Sequence, residues 1–129
     1  MADDMRNRLI KEMLKRFEFE WKDALWQHKQ SGEWLMKHKY VEIVGAKLGV
    51  QYSFQVVECD SANGNMVVIC TAKTGDKTVQ TFGEANTKNN KTSYPMAMAE
   101  KRAYDRAVLK VVGLHGFIYS ETEFDDSDQ

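Results

Sequence analysis

Between residues 59 and 66 the chain reads CDSANGNM, and its Asn63-Gly64 pair is the strongest local constraint on the fold. Both residue types tolerate the positive φ that a tight hairpin turn demands. The flanking segments, VQYSFQVVEC and NMVVICTAKT, carry the β-branched and aromatic residues of strands. They are expected to fold back on one another. GDKTVQTFGEA follows after the TGDK turn and supplies a third strand, which predicts an antiparallel meander.

The segments around the meander have helical periodicity. Ile10, Leu14, Phe17, Trp21 and Leu25 keep helix spacing with Met13 beside them, which predicts one long amphipathic helix over residues 3–29. Phe19 and Trp26 fall off that stripe, so this helix is expected to meet a second surface, in the domain or on another subunit. QSG at 30–32 breaks the pattern. EWLM then reads as a short extended piece before a helix over residues 38–48, with Gly49 placed to stop it. NTKNNKTS at 86–93 is a polar loop, Pro95 suits the first turn of a last helix, and that helix should end near Gly113. The predicted fold class is α+β: a three-stranded antiparallel β-meander with helices packed on one face, a β-β-β-α core preceded by helices. Its expected divisions are an N-terminal helix (1–32), the core (33–120) and an acidic disordered tail (121–129).

At 129 residues the chain has room for one core. No apolar run approaches a membrane span, and MADDMRNRL lacks the apolar stretch of a secretory signal. Cys59 and Cys70 are too few for a disulfide framework and lie in predicted strands, so both are expected to be reduced core residues in a cytosol. The chain holds 18 basic and 19 acidic residues, but five of the acids fall in ETEFDDSDQ at 121–129. The preceding 120 residues therefore have 18 bases against 14 acids, a mildly basic balance. A phosphate-cradling glycine loop, His-Glu-x-x-His and Cys-x-x-Cys are all lacking. His28, His38 and His115 lack metal-ligand spacing and read as surface or packed residues. Neither a catalytic group, nor a metal, nor a cofactor is expected.

What remains is a binding constellation. In YPMAMAEKRAYDRAVLKVVGLHG, Arg102, Arg106 and Lys110 recur every four residues and so form one stripe on a helix, opposite Ala97, Tyr104, Ala107, Val108 and Val111. Lys101 is rotated away from the stripe, and Lys88 and Lys91 precede it in a loop. Asn86, Asn89 and Asn90 of that loop can donate to phosphate oxygens, as can backbone N–H groups at the helix start. The solvated face of an amphipathic helix has the same spacing. Lys37, Lys39 and Lys47 fit solvation better than a site. Tyr40, Tyr52 and Phe54 could stack on bases, although aromatic residues at strand spacing are usually core.

The order of these features resembles the RAD fifty-two-like single-strand annealing recombinases, in their short phage and bacterial form. EWLMKHKYVEIVGAKLGVQYSFQVVE is similar to that family's extended opening, its glycine-terminated helix and the first strand of its β-β-β-α core. MVVICTAKTGDKTVQTFGEA resembles the second and third strands, and KTSYPMAMAEKRAYDRAVLKVVGLHG the long helix, which there has alanines inside and basic residues facing a DNA groove. The resemblance spans residues 33–120 and excludes the acidic tail. It implies single-stranded DNA binding and strand annealing in recombination or phage DNA repair, without covalent catalysis, by a homo-oligomer in a ring or filament. It also implies a bacterial or phage-infected cytosol and no membrane. Arg106 and Lys110 match the later basic positions of the family's helix, and the Lys101-Arg102 pair lies about a turn before its adjacent cations. The implied DNA-binding set is thus Arg102, Arg106 and Lys110, with Lys101, Lys88 and Lys91 as neighbours. Two other readings stay open: a double-stranded RNA-binding domain, which would use Lys101 and Arg102 at a helix start, and a phage regulatory protein that binds partners through Trp21, Trp26 and Trp34.

Overall fold

A computed structural model of the chain describes residues 2–124, with side chains from residue 4. It is an α+β fold. The first element, α1 (Ala2–Phe17), buries Ile10, Met13, Leu14 and Phe17. It does not run on to residue 29. Glu18 takes a positive φ of 60°, Phe19 N–H donates to the Leu14 carbonyl, and Glu18 N–H donates to the Lys15 carbonyl. Those paired bonds are a Schellman stop. After it come one helical turn, α2 (Trp21–Ala24), and strand β1 (Leu25–Gln27). QSG is the turn of a hairpin that pairs β1 antiparallel with β2 (Trp34–Met36).

Helix α3 (His38–Lys47) leads into β3 (Gln51–Asp60), β4 (Asn65–Thr74) and β5 (Lys77–Ala85), which form the expected meander with β4 in the middle. Helix α4 (Pro95–Val111) opens on Pro95 and ends where Leu114 N–H donates to the Leu109 carbonyl, with Gly113 at a φ of 79°. The chain closes with β6 (Tyr119–Ser120), parallel to β2, and a 3₁₀ turn over Glu121–Glu123.

Two apolar clusters share α4. Ala99, Ala103 and Ala107 face the meander against Met66, Val68, Cys70 and Ala72 of β4. Val108 and Leu109 face the other way, against Ile10, Leu14, Val41 and Val44. The small alanine face lets helix and sheet approach closely. At Gly83 of β5 a side chain would collide with the Ala99 backbone and with Ala103, so only glycine fits.

Several expectations change here. Phe19 finds its second surface inside the chain, edge-on to Tyr40 at 4.9 Å between ring centres. Trp26 lies in β1 opposite Leu35. Trp21 and Trp34 pack on each other at 5.0 Å. Cys70 is buried, which pushes its thiol pKa up to about 11, but Cys59 is exposed on an edge strand. Residues 121–124 are placed, with Thr122 buried, because arginines of α4 and the start of α3 hold them; residues 125–129 lie outside the described ones.

Candidate nucleic-acid interface

The expected stripe is not a row of free cations. Arg102 is only 1% exposed. Its Nε donates to the Thr122 carbonyl at 2.6 Å, Nη1 to the Glu84 carbonyl at 2.9 Å and to Asn89 Oδ1 at 3.0 Å, and Nη2 to the Asn89 carbonyl at 2.7 Å. It ties β5, the 86–93 loop and the C-terminal strap to one guanidinium. The cause is that α4 is covered on two sides, so the position flanking the alanine face is also interior.

Arg106 is half-buried between two carboxylates. Nε and Nη2 donate to the Glu123 oxygens at 2.5 and 2.6 Å, Nη2 also donates to Glu84 Oε1 at 2.7 Å, and Nη1 donates to the Phe82 carbonyl at 2.7 Å. The bonds from Glu123 and then Glu84 raise the arginine's pKa against its burial, and Arg106 in turn holds the Glu84 carboxyl below its ordinary range. Lys110, Lys101 and Lys88 are exposed, as is Lys91. The loop asparagines are used in building the loop. Asn86 Oδ1 accepts from Lys88 and Asn89 N–H, Asn89 Oδ1 accepts from Asn86 N–H, and buried Asn90 accepts from the Thr92 hydroxyl.

Besides Lys110 at its end, the cation of α4 that reaches open space is Lys101, off the stripe. Lys101 stands 6.0 Å from the centre of the exposed Tyr94 ring. Together with Lys39 and Met98, they line a depression of about 530 Å³ between α3 and α4. A second depression of about 290 Å³ continues past Lys101 to Ala97, Tyr104, Tyr52 and Phe54. His38, Glu42 and Lys101 border both, so the two form one groove beside α4. Tyr52, Phe54 and Val56 pair with Ala72, Cys70 and Val68, so they stand on the α4 side of the sheet, where β3 projects past the helix. Tyr52 meets Tyr104 at 4.7 Å and Phe54 at 5.6 Å between ring centres. Burial, with help from Tyr52 and nearby carboxylates, raises the Tyr104 pKa to about 12, so its phenol remains a neutral donor.

The groove's acids are partly engaged. His38 Nε2 contacts Glu42 at 2.9 Å, and its Nδ1 contacts the fully buried Asp105 at 2.7 Å. Burial opposes a charged imidazole, but Asp105 and Glu42 outweigh it and raise the His38 pKa. Asp105 itself is pushed up by burial, against the pull of His38 and Ser120, whose hydroxyl donates to it at 2.6 Å. Glu121 accepts from the His38 N–H at 2.7 Å and caps the start of α3. Glu100 is on the rim.

The sequence brought Lys101 forward only as a neighbour and missed the His38–Asp105 pair, which spans 67 residues. A carboxylate set among Ala103, Ala107, Val108 and Leu109 was the available signal: such a residue is buried only with a partner. Among the described residues no three His, Cys, Asp or Glu side chains are grouped to hold a metal ion. Likewise, no helix is long and apolar enough to cross a membrane. Comparison of the chain with family models, curated proteins and solved structures gives no match.

Proposed function

We propose that this groove holds single-stranded DNA without sequence preference and that the protein anneals complementary strands, with no covalent step. The observation that carries the reading is the lining of the groove: Lys101 and Lys39 stand beside Tyr94, Tyr52 and Phe54 along one open path. Lysines hold phosphates irrespective of sequence, and aromatic faces accept any unstacked base, at about 1–3 kcal/mol per stacked base. A strand held in this way keeps its pairing edges available to a complement. Lys88 and Lys91 are exposed on the loop before α4 and enter this reading only as neighbouring cations. In this reading Arg102 and Arg106 hold the fold around α4 and do not line the groove, and Lys110 is a peripheral contact. The reading also includes self-association, which lengthens the groove, and work in a bacterial or phage-infected cytosol.

Competition among single-stranded DNA, duplex DNA and duplex RNA tests the substrate class. Single-stranded DNA should win, with log affinity falling by about 1.5 to 3 per decade of salt for two to four neutralised phosphates. Lys101→Glu should weaken binding roughly tenfold without lowering the melting temperature, because loss or repulsion of one phosphate contact is on the order of 1.4 kcal/mol. Preference for duplex RNA, or unaltered binding by Lys101→Glu, would reject the reading.

A further inference from the structure

The meander has two edges, and they are treated differently. On β5 the outward carbonyls of Phe82 and Glu84 are taken by Arg106 and Arg102 of α4, at 2.7 and 2.9 Å. That edge is closed to another strand. On β3, pairing is with β4 alone, and residues 51–53 and 55–59 are exposed. Exposed edges are normally guarded by charge, proline or a bulge. The stretch Gln-Tyr-Ser-Phe-Gln-Val at 51–56 carries neither charge nor proline, and the bulge comes only after Val56.

We infer that two copies of this chain pair through residues 51–56 of β3, antiparallel, about a two-fold axis at Phe54. The strand is self-complementary in that register. Tyr52 of each copy falls opposite Val56 of the other, and both side chains are 55% exposed in the single chain. An aromatic residue against a β-branched one is a favourable cross-strand pair. On the opposite face Ser53 falls opposite Gln55, polar against polar, and no two like charges meet within the stretch. A neutral edge with one closed counterpart favours a second copy of itself over a head-to-tail chain, because head-to-tail growth needs the β5 edge. The result is one six-stranded sheet with both α4 helices on the same face.

The pairing completes the groove. Tyr52 and Phe54 form the outer wall of the depression beside α4. In the pair they become the floor of a single channel between the two α4 helices. A two-fold axis through that channel reverses strand polarity, so two bound strands run antiparallel, as base pairing requires. This consequence rests on the single-stranded DNA reading; the pairing does not.

Light scattering and sedimentation of the full chain without nucleic acid test the pairing directly. The expected species has twice the 14.9 kDa chain mass. Val56→Lys and, separately, Tyr52→Lys should each halve that mass while the circular dichroism stays unchanged. In a Cys59→Ser background, Ser53→Cys chains mixed with Gln55→Cys chains should form disulfide-linked heterodimers under mild oxidation, more than either chain alone forms homodimers. A wild-type monomer at every concentration, an assembly larger than two chains, or a dimer that survives both lysine substitutions would overturn the inference. A dimer that ignores single-stranded DNA retains the pairing and rejects the ligand, whereas a monomer that binds it does the reverse.

Discussion

Arg102 shows how one side chain can look like a ligand contact in sequence and be a structural bolt in the fold. A guanidinium has donors in a fixed fork, and here they serve Thr122, Glu84 and Asn89 at once. Arg102→Ala would take the guanidinium from three backbone carbonyls, those of Thr122, Glu84 and Asn89, and leave a cavity; Asn89 Oδ1 keeps the Asn86 N–H. Each unsatisfied buried group costs about 1–3 kcal/mol, so a total loss of roughly 3–5 kcal/mol is expected after partial rehydration. Arg102→Lys should recover only part of it, because an ammonium cannot span the fork. Urea titrations of the two variants and of Lys101→Glu check this. A wild-type midpoint for Arg102→Ala would show that the bolt carries no load. The charge reversal Arg106→Glu belongs to the same class, since it would place three carboxylates together with Glu84 and Glu123. It is therefore a poor probe of DNA binding.

Among the elements, α3 and α4 are coupled through His38 and Asp105, and that coupling gives stability a pH dependence. The folded imidazole has a pKa raised above the ordinary 6.5. The folded state thus holds the proton more tightly than the unfolded chain. Its stabilisation is complete below pH 6.5 and is lost as pH rises through the folded value. The groups facing the ring are Asp105, Glu42 and Lys101, the last of which opposes the charge. At the other end, Glu84 is depressed by Arg106, and its contribution disappears as pH falls below the ordinary carboxyl range. Thermal melts should show a plateau in mildly acidic buffer and a decline as pH rises above about 6.5. His38→Gln should lower the plateau and flatten the decline; an unchanged decline would remove His38 as its source. The elements themselves were legible where a local residue type dictates them. Gly49 and Gly113 mark the ends of α3 and α4 because the same Schellman geometry uses a residue at positive φ. The end of α1 uses it as well, but with Glu18, which leaves no glycine to read. The inward direction of Arg102 was illegible for another reason. Spacing defines a face, but only tertiary packing decides how many faces are covered.

At the scale of the molecule, the two apolar clusters share α4, and the N-terminal helix belongs to one of them. Read from sequence, the N-terminal helix is a division of its own (1–32) that meets a second surface in the domain or on another subunit. In the structure, Ile10, Met13, Leu14 and Phe17 lie in the same cluster as Val41, Val44, Val108 and Leu109. The Phe17 carbonyl also accepts from Lys47 of α3 at 3.2 Å. Four buried side chains at about 1.5–3 kcal/mol each come to roughly 6–12 kcal/mol. That is comparable to the whole stability of a domain of this size, about 5–15 kcal/mol. Deleting residues 1–17 should therefore abolish cooperative unfolding, with early hydrogen exchange in α3 and in the Val108–Leu109 turn of α4. Exchange in β4 should rise as well, because among the described residues α4 is the helix that covers the meander. Val56→Lys provides the contrast, since it should change mass without changing exchange in α4. A truncated chain that melts cooperatively near the full-length midpoint would mean that α1 merely rests on a core that is complete without it.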